Sequence, residues 1–259
     1  MYILGVNLAV TAALMLVVWL LSLAKKDVSI VDVVWGLGFV LIAATSFVIA
    51  DGYLPRKLLV LVLTSVWGLR LAGHIFWRSK GRGEDFRYQA MRKRHGARFA
   101  LVSLYTVFGL QGVLMWIISL PLQVASMADA PRRLTPFEAA GAALWLVGFL
   151  FEAVGDLQLA RFKKDHGNSG RVMDRGLWRY TRHPNYFGDV LVWWGFFLIA
   201  VPSGMGLGVA TVISPVLMTE LLMKVSGVAL LERTLTKTKP DYRDYARRTS
   251  AFFPRLPKS

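Results

Sequence analysis

Residues 2–24 read YILGVNLAVTAALMLVVWLLSLA, and Lys25 and Lys26 follow. The run carries no charge. A helix rises about 1.5 Å per residue, so a run of this length covers the roughly 30 Å hydrocarbon layer of a bilayer. It has no basic leading region and no small-residue cleavage site, and it reads as a first membrane span rather than a removed leader. Working outward, further apolar blocks fall at 28–50, 57–77, 100–124, 137–160, 186–201 and 206–230, leaving a polar tail at 231–259. No internal repeat or low-complexity linker divides them. The expected fold is all-α: a polytopic membrane protein with seven transmembrane helices, forming a single domain over 1–259.

Composition agrees with this reading. The chain is 55% hydrophobic and 18% charged, against about 25% charged in soluble domains, and its mean hydropathy is +0.47. With seven spans, one side holds 25–27, 78–99, 161–184 and the tail, which carry 25 of the 31 Lys and Arg. The positive-inside rule then predicts the N-terminus outside and the C-terminus in the cytoplasm. An even span count would scramble that bias. The expected location is the bacterial inner membrane, or the endoplasmic reticulum in a eukaryote. The net charge of +15 reads as topology and as contact with lipid heads and phosphates, not as nucleic-acid binding. The absence of cysteine excludes disulfides, thiolate metal sites and a cysteine nucleophile. Only four histidines are present, widely separated, so no metal is expected.

Ionisable groups at bilayer depth cost at least about 2.5–3.5 kcal/mol on insertion scales, which marks them as functional candidates. The second block holds Asp32 and the third Arg70 and His74. The fifth holds Glu152 and Asp156, the sixth Asn185 and Asp189, and the seventh Glu220 and Lys224. Four of these sets are i,i+4 pairs, each sharing one helix face. The economical expectation is one polar chamber open to the cytoplasm. Two carboxylates on one face repel unless donors surround them, and a polyhydroxylated ligand supplies donors. For Glu220 and Lys224 a self-satisfied pair is an equal alternative.

The loops add phosphate chemistry. In RSKGRGEDFRYQAMRKRHG (78–96), Gly81 and Gly83 permit close backbone approach beside Lys80, Arg82 and Arg87. Glu84 and Asp85 suit ribose hydroxyls or orient the arginines. Tyr88 is expected in the same loop. The segment 163–189 is dense in Gly, Arg and aromatics and includes Lys163, Arg171, Trp178 and Tyr186. Trp178 and Tyr180 suit stacking on a base, and Pro184 suits a helix start. The tail is expected to form a short amphipathic helix on the cytoplasmic face, with Glu232 near a ligand.

Arg182-His183-Pro184-Asn185-Tyr186-Phe187-Gly188-Asp189, with the tail, resembles the catalytic region of the membrane steroid 5-alpha-reductase family. Trp67-Gly68-Leu69-Arg70, Gly83 to Tyr88 and Ser29-Ile30-Val31-Asp32 resemble its bacterial branch, so the likeness covers nearly the whole chain. The resemblance implies seven spans, a cytoplasmic C-terminus, NADPH as cofactor and reduction of a carbon–carbon double bond conjugated to a ketone. The substrate it implies is a lipophilic, steroid-like enone, reached through membrane lipid. Carried over, the cofactor contacts are Arg70, His74, Lys80, Arg82, Glu152, Asp156, Lys163, Asn185, Asp189 and Trp193, and the reading of the loops and tail adds Asp85, Arg87, Arg171, Trp178, Tyr186 and Glu232 to the expected cofactor set. Trp67 stands where vertebrate members place the tyrosine that binds the substrate ketone. Asp32, with Trp35 one turn on, is the nearest match to their second-span acidic pair. The implied catalytic set is therefore Asp32, Trp67 and Tyr88, and the implied substrate contacts are Asp32, Trp35 and Trp67. Asp32 would polarise the ketone if held protonated.

An S-adenosylmethionine-dependent membrane methyltransferase of the isoprenylcysteine or phospholipid type is the alternative. It would use His183-Pro184-Asn185-Tyr186 and Glu232 but leave the arginine-rich loop and the span-five carboxylates unexplained. A transporter or lipid-binding scaffold predicts an internal repeat, and none is present.

Overall fold

The computed structural model describes residues 2–225, 228, 232, 235–236 and 238–257. It is all-helical, with no strand among the described residues. Seven helices are long and apolar enough to cross a membrane: α1 (Tyr2–Lys25), α2 (Ile30–Ile49), α3 (Leu54–Ser79), α4 (Phe86–Ile118), α5 (Pro136–Lys164), α6 (Pro184–Ser203) and α7 (Leu207–Lys224). The protein is an integral, multi-pass type by this measure. The chain divides into two compact units, 1–135 with 200–211 and 136–199 with 212–259.

In the first unit, α2 and α3 cross at paired glycines. A Cβ on Gly36 would lie 2.4 Å from the Gly68 carbonyl oxygen, and one on Gly68 would lie 2.6 Å from that of Gly36. Without a hydrophobic drive between helices in lipid, such small-residue contacts let backbones approach and pack. The crossing sets Trp67 beside Phe39, their rings 5.7 Å apart, with Trp35 5.3 Å from Phe39 on the other side. Helices α1 and α4 run antiparallel. Trp19 donates to the Ala100 carbonyl at 3.0 Å and Trp116 to that of Leu4 at 2.9 Å. A buried amide network joins the unit far from Asp32: the Asn7 amide donates to Ser46 at 2.8 Å and to Gln123 at 3.1 Å.

Two expectations about the fourth span are corrected. The segment 78–99 is not all loop, because Phe86–His95 is helical. That arm also folds back. Tyr88 and Gln111 hydrogen-bond at 3.4 Å, yet 23 residues of straight helix would separate them by about 34 Å. The reversal lies at Gly96, whose φ of 52° suits glycine. At the other end the span stops at Ile118 rather than 124. Ser119 is the joint, and a new helix, Leu120–Met127, starts with Pro121 near its N-terminus.

In the second unit, Gly141, Gly148 and Gly155 recur every seven residues and so share one face of α5. They meet α6 in reverse order. A Cβ on Gly141 would lie 2.6 Å from the Gly195 oxygen, one on Gly148 2.5 Å from the Gly188 oxygen, and one on Gly155 3.2 Å from the Asn185 nitrogen. This antiparallel glycine seam brings the residue after Gly155, Asp156, to Asn185. The tail is stitched to the segment before α6. Arg182 N–H donates to Ser250 O at 2.9 Å, Thr181 Oγ1 to Phe252 O at 2.7 Å, and Arg255 N–H to Tyr180 O at 3.0 Å. Its short helix, α8 (Tyr242–Arg248), is the one expected from the sequence.

Gly188→Ala tests the seam. The added Cβ would lie 2.4 Å from the Glu152 nitrogen, a backbone atom that cannot swing aside. The expected cost is about 1–3 kcal/mol or more, read as a lower Tm in detergent, whereas Gly73→Ala, which meets nothing within 4 Å, should leave Tm nearly unchanged.

Candidate functional site

The first unit holds a compact polar cluster at the start of α2. Asp85 caps the folded-back arm, its Oδ1 accepting from the Arg87 N–H at 2.9 Å. The same oxygen accepts from Arg87 Nε at 2.8 Å. Arg87 then reaches the other way, NH2 donating to Asp32 Oδ2 at 2.7 Å. The Tyr88 hydroxyl donates to Asp32 Oδ1 at 2.8 Å and accepts from the Gln111 amide. Tyr88 is 6% exposed. Both Asp32 oxygens therefore lie within hydrogen-bond reach of a partner on the arm. Tyr88, expected in a loop, sits on a helix and is the neutral O–H donor of the cluster.

The loop carboxylates are engaged within the protein. Glu84 Oε1 accepts from the Val28 N–H at 2.9 Å and from Arg92 NH2 at 2.8 Å, and Oε2 accepts from Arg92 Nε at 3.0 Å. The Asp85 N–H donates to Ser29 Oγ at 2.7 Å. Of the two roles weighed for Glu84 and Asp85, these contacts match the orienting of arginines. Trp67 is fully buried in the aromatic packing of α2 and α3, with Trp35 half-buried beside it. Arg70 and His74 are half-buried on α3, and Lys80 and Arg82 are exposed beyond its end.

The second unit holds the other sequence candidates. Asp156 and Glu152 are buried at 6% and 3% exposure on one face of α5, and Asn185 Nδ2 donates to Asp156 Oδ1 at 3.0 Å. Tyr186 stacks on His183 with ring centroids 5.5 Å apart. Asp189 follows on α6 one turn after Asn185, and Trp193 is fully buried against Phe196. Trp178 is buried as well, its indole N–H donating to the Gly155 carbonyl at 3.0 Å. Lys163 and Arg171 are exposed, and the Arg171 carbonyl accepts from Lys239. Glu232 binds Arg182 at 2.8 Å and lies 3.3 Å from His183 Nε2. Glu220 and Lys224 pair with each other at 2.8 Å, the self-satisfied alternative. No metal-binding cluster exists among the described residues.

Two residues escaped the sequence reading. Gln111 was legible as an amide inside an apolar run. Arg182 opens the recognised segment but was given no role there, because its carbonyl partners at Ala246 and Thr249 lie over 60 positions away and left no local signal.

Electrostatics reinforce the loop contacts. The Arg92 and Val28 hydrogen bonds hold Glu84 below its ordinary carboxylate value. For Asp85, burial pushes upward, but the Arg87 hydrogen bonds outweigh it and the net direction is down. Burial likewise opposes, and His183 and Arg182 outweigh, for Glu232. A depressed folded value means stability present above the unfolded value and lost as pH falls through the folded one. The Tm should therefore drop as pH falls below about 4.5, the ordinary value of Glu84, and Glu84→Gln should flatten that drop in a pH series of melting curves.

The family profile described as protein of unknown function, DUF1295, matches residues 18–249. An uncharacterised protein of Schizosaccharomyces pombe is 25% identical over 265 aligned positions, covering 93% of this chain and 76% of that one. The 3-oxo-5-alpha-steroid 4-dehydrogenase 1 of Bos taurus is 37% identical over 68 residues, 26% of this chain and 24% of its own length. No solved structure matches.

Proposed function

Starting from a chain that belongs to the DUF1295 family, we propose that it is a membrane-embedded, NADPH-dependent reductase of a lipophilic enone, with 3-oxo-4-ene steroids as the substrate class. The observation that carries this reading is the Tyr88 O–H held 2.8 Å from Asp32 by a carboxylate that Arg87 also grips. The partial likeness to a steroid 4-dehydrogenase supports the reaction class.

The residues fit the cofactor chemically. Within the first unit, Arg70, His74, Lys80 and Arg82 suit its phosphates. Bound NADPH supplies the hydride that reaches the substrate's β-carbon. The chain's part is to polarise the ketone. The Tyr88 O–H, which faces Asp32 in the free protein, turns to donate to the ketone oxygen. As the double-bond electrons move onto that oxygen, the Tyr88 proton follows and leaves an enol. The enol tautomerises by taking a proton at the α-carbon and losing the one on oxygen. Water restores the Tyr88 proton. Arg87 holds Asp32 from the other oxygen, and the Asp32 carboxyl group fixes where the phenol lies.

One observation favours the methyltransferase reading: His183 and Glu232, two of its signature residues, lie 3.3 Å apart. Thermal shifts in detergent separate the two. Stabilisation by NADPH and not by S-adenosylmethionine is expected, and the reverse pattern overturns the reductase reading. Tyr88→Phe should lower turnover of a 3-oxo-4-ene steroid by about 10²–10⁴-fold while keeping the NADPH shift. Arg82→Ala should weaken the NADPH shift itself. Unchanged turnover in Tyr88→Phe removes the phenol from the mechanism.

A further inference from the structure

Tyr88 is placed by a helical arm that has folded back on the chain, and such an arm needs something to hold it. Its first turn carries Arg87 and Tyr88, and its next carries Arg92. The arm is rich in Arg and Lys, with Arg87, Arg92, Lys93 and Arg94 over ten residues. Like charges repel along it, and its own hydrogen bonds say nothing about where it docks. Besides the Arg87 and Tyr88 contacts with Asp32, a carboxylate just before its start docks it. Glu84 takes Arg92 through both oxygens at 2.8 and 3.0 Å, a bidentate geometry that fixes direction as well as distance. The same Oε1 accepts the Val28 N–H, two residues before α2 begins. The guanidinium of Arg92 is further seated over the Phe99 ring, 4.5 Å from its centroid.

Glu84 is thus a three-way tie. It joins the arm to the turn that precedes α2, and Asp32 lies in the first turn of α2. The parallel contact of Asp85 N–H with Ser29 Oγ gives a second attachment between the same two segments. The Glu84 side chain is 9% exposed, so water competes little for its oxygens. None of its contacts reaches Asp32 or Tyr88, and it has no place among the reacting groups.

We propose that Glu84 is a positioning residue: its carboxylate clamps the folded-back arm to the start of α2 and thereby sets the Tyr88 phenol on Asp32. The kinetic side of this inference rests on the reductase reading; the placement of the arm does not.

The absence of cysteine makes a clean test available. A single nitroxide label at Ala90→Cys, on the exposed side of the arm, reports the arm's mobility by electron paramagnetic resonance. Glu84→Gln keeps the size of the side chain and removes its charge, and Arg92→Gln removes the clamp from the other side. Both should loosen the label, and the double variant should be no looser than either single one, since the two act through one contact. With NADPH and a 3-oxo-4-ene steroid, kcat should fall at least about tenfold, as expected when a reacting group is misplaced, with KM for NADPH unchanged. Glu84→Asp should recover part of kcat. An immobile label in both single variants overturns the clamp. A loosened label with unchanged kcat overturns its link to Tyr88. A parent protein that binds NADPH but reduces no enone removes the reductase reading instead, while the label still decides whether Glu84 holds the arm.

Discussion

A polar group in the apolar layer of a membrane must find its partner within the protein, because no water is there to take it. The arrangement of this chain follows from that constraint. Asp32 is accommodated because Arg87 and Tyr88 both donate to it. Asp156 is accommodated because Asn185 does. Asn7, Ser46 and Gln123 form an amide–hydroxyl chain inside the first unit. In each case a partner distant in sequence is delivered by helix packing.

That delivery depends on glycine. In the second unit the seven-residue repeat Gly141, Gly148, Gly155 removes side chains from the whole contact line with α6, so backbones meet and the register is set residue by residue. A seam of larger residues would hold the helices farther apart and leave Asp156 out of reach of Asn185. In the first unit the Gly36–Gly68 crossing does the same for α2 and α3 and leaves Trp67 locked in aromatic packing. The polar pairs and the small-residue seams are therefore one design: the seam sets the distance, and the pair uses it.

The chemistry proposed for the first unit has the same origin. A tyrosine in a basic segment is ordinary by itself. Once Gly96 reverses the chain and Glu84 fastens the arm, that tyrosine becomes a buried O–H donor with a defined acceptor. Geometry turns a common side chain into a candidate acid, because proton transfer requires hydrogen-bond distance before any question of acidity.

Seven spans and an all-helical class were legible in the sequence, since both follow from local hydropathy, which needs no partner. So were the i,i+4 sets, because helix periodicity alone puts Glu152 with Asp156 and Glu220 with Lys224 on common faces. The break at Ser119 and the reversal at Gly96 were not legible, because a glycine or a proline nearby permits a turn without requiring one. The pairing of Asp32 with Tyr88 was also hidden, as 56 residues of chain separate them. The sequence named both residues as candidates but put one in a loop and made the role of the other conditional on its protonation. Only the tertiary fold decided that the Tyr88 hydroxyl and the Asp32 carboxyl group lie 2.8 Å apart. The reason is physical: which side chain gives and which takes is settled by who else is within 3 Å, and the packing of distant segments decides that.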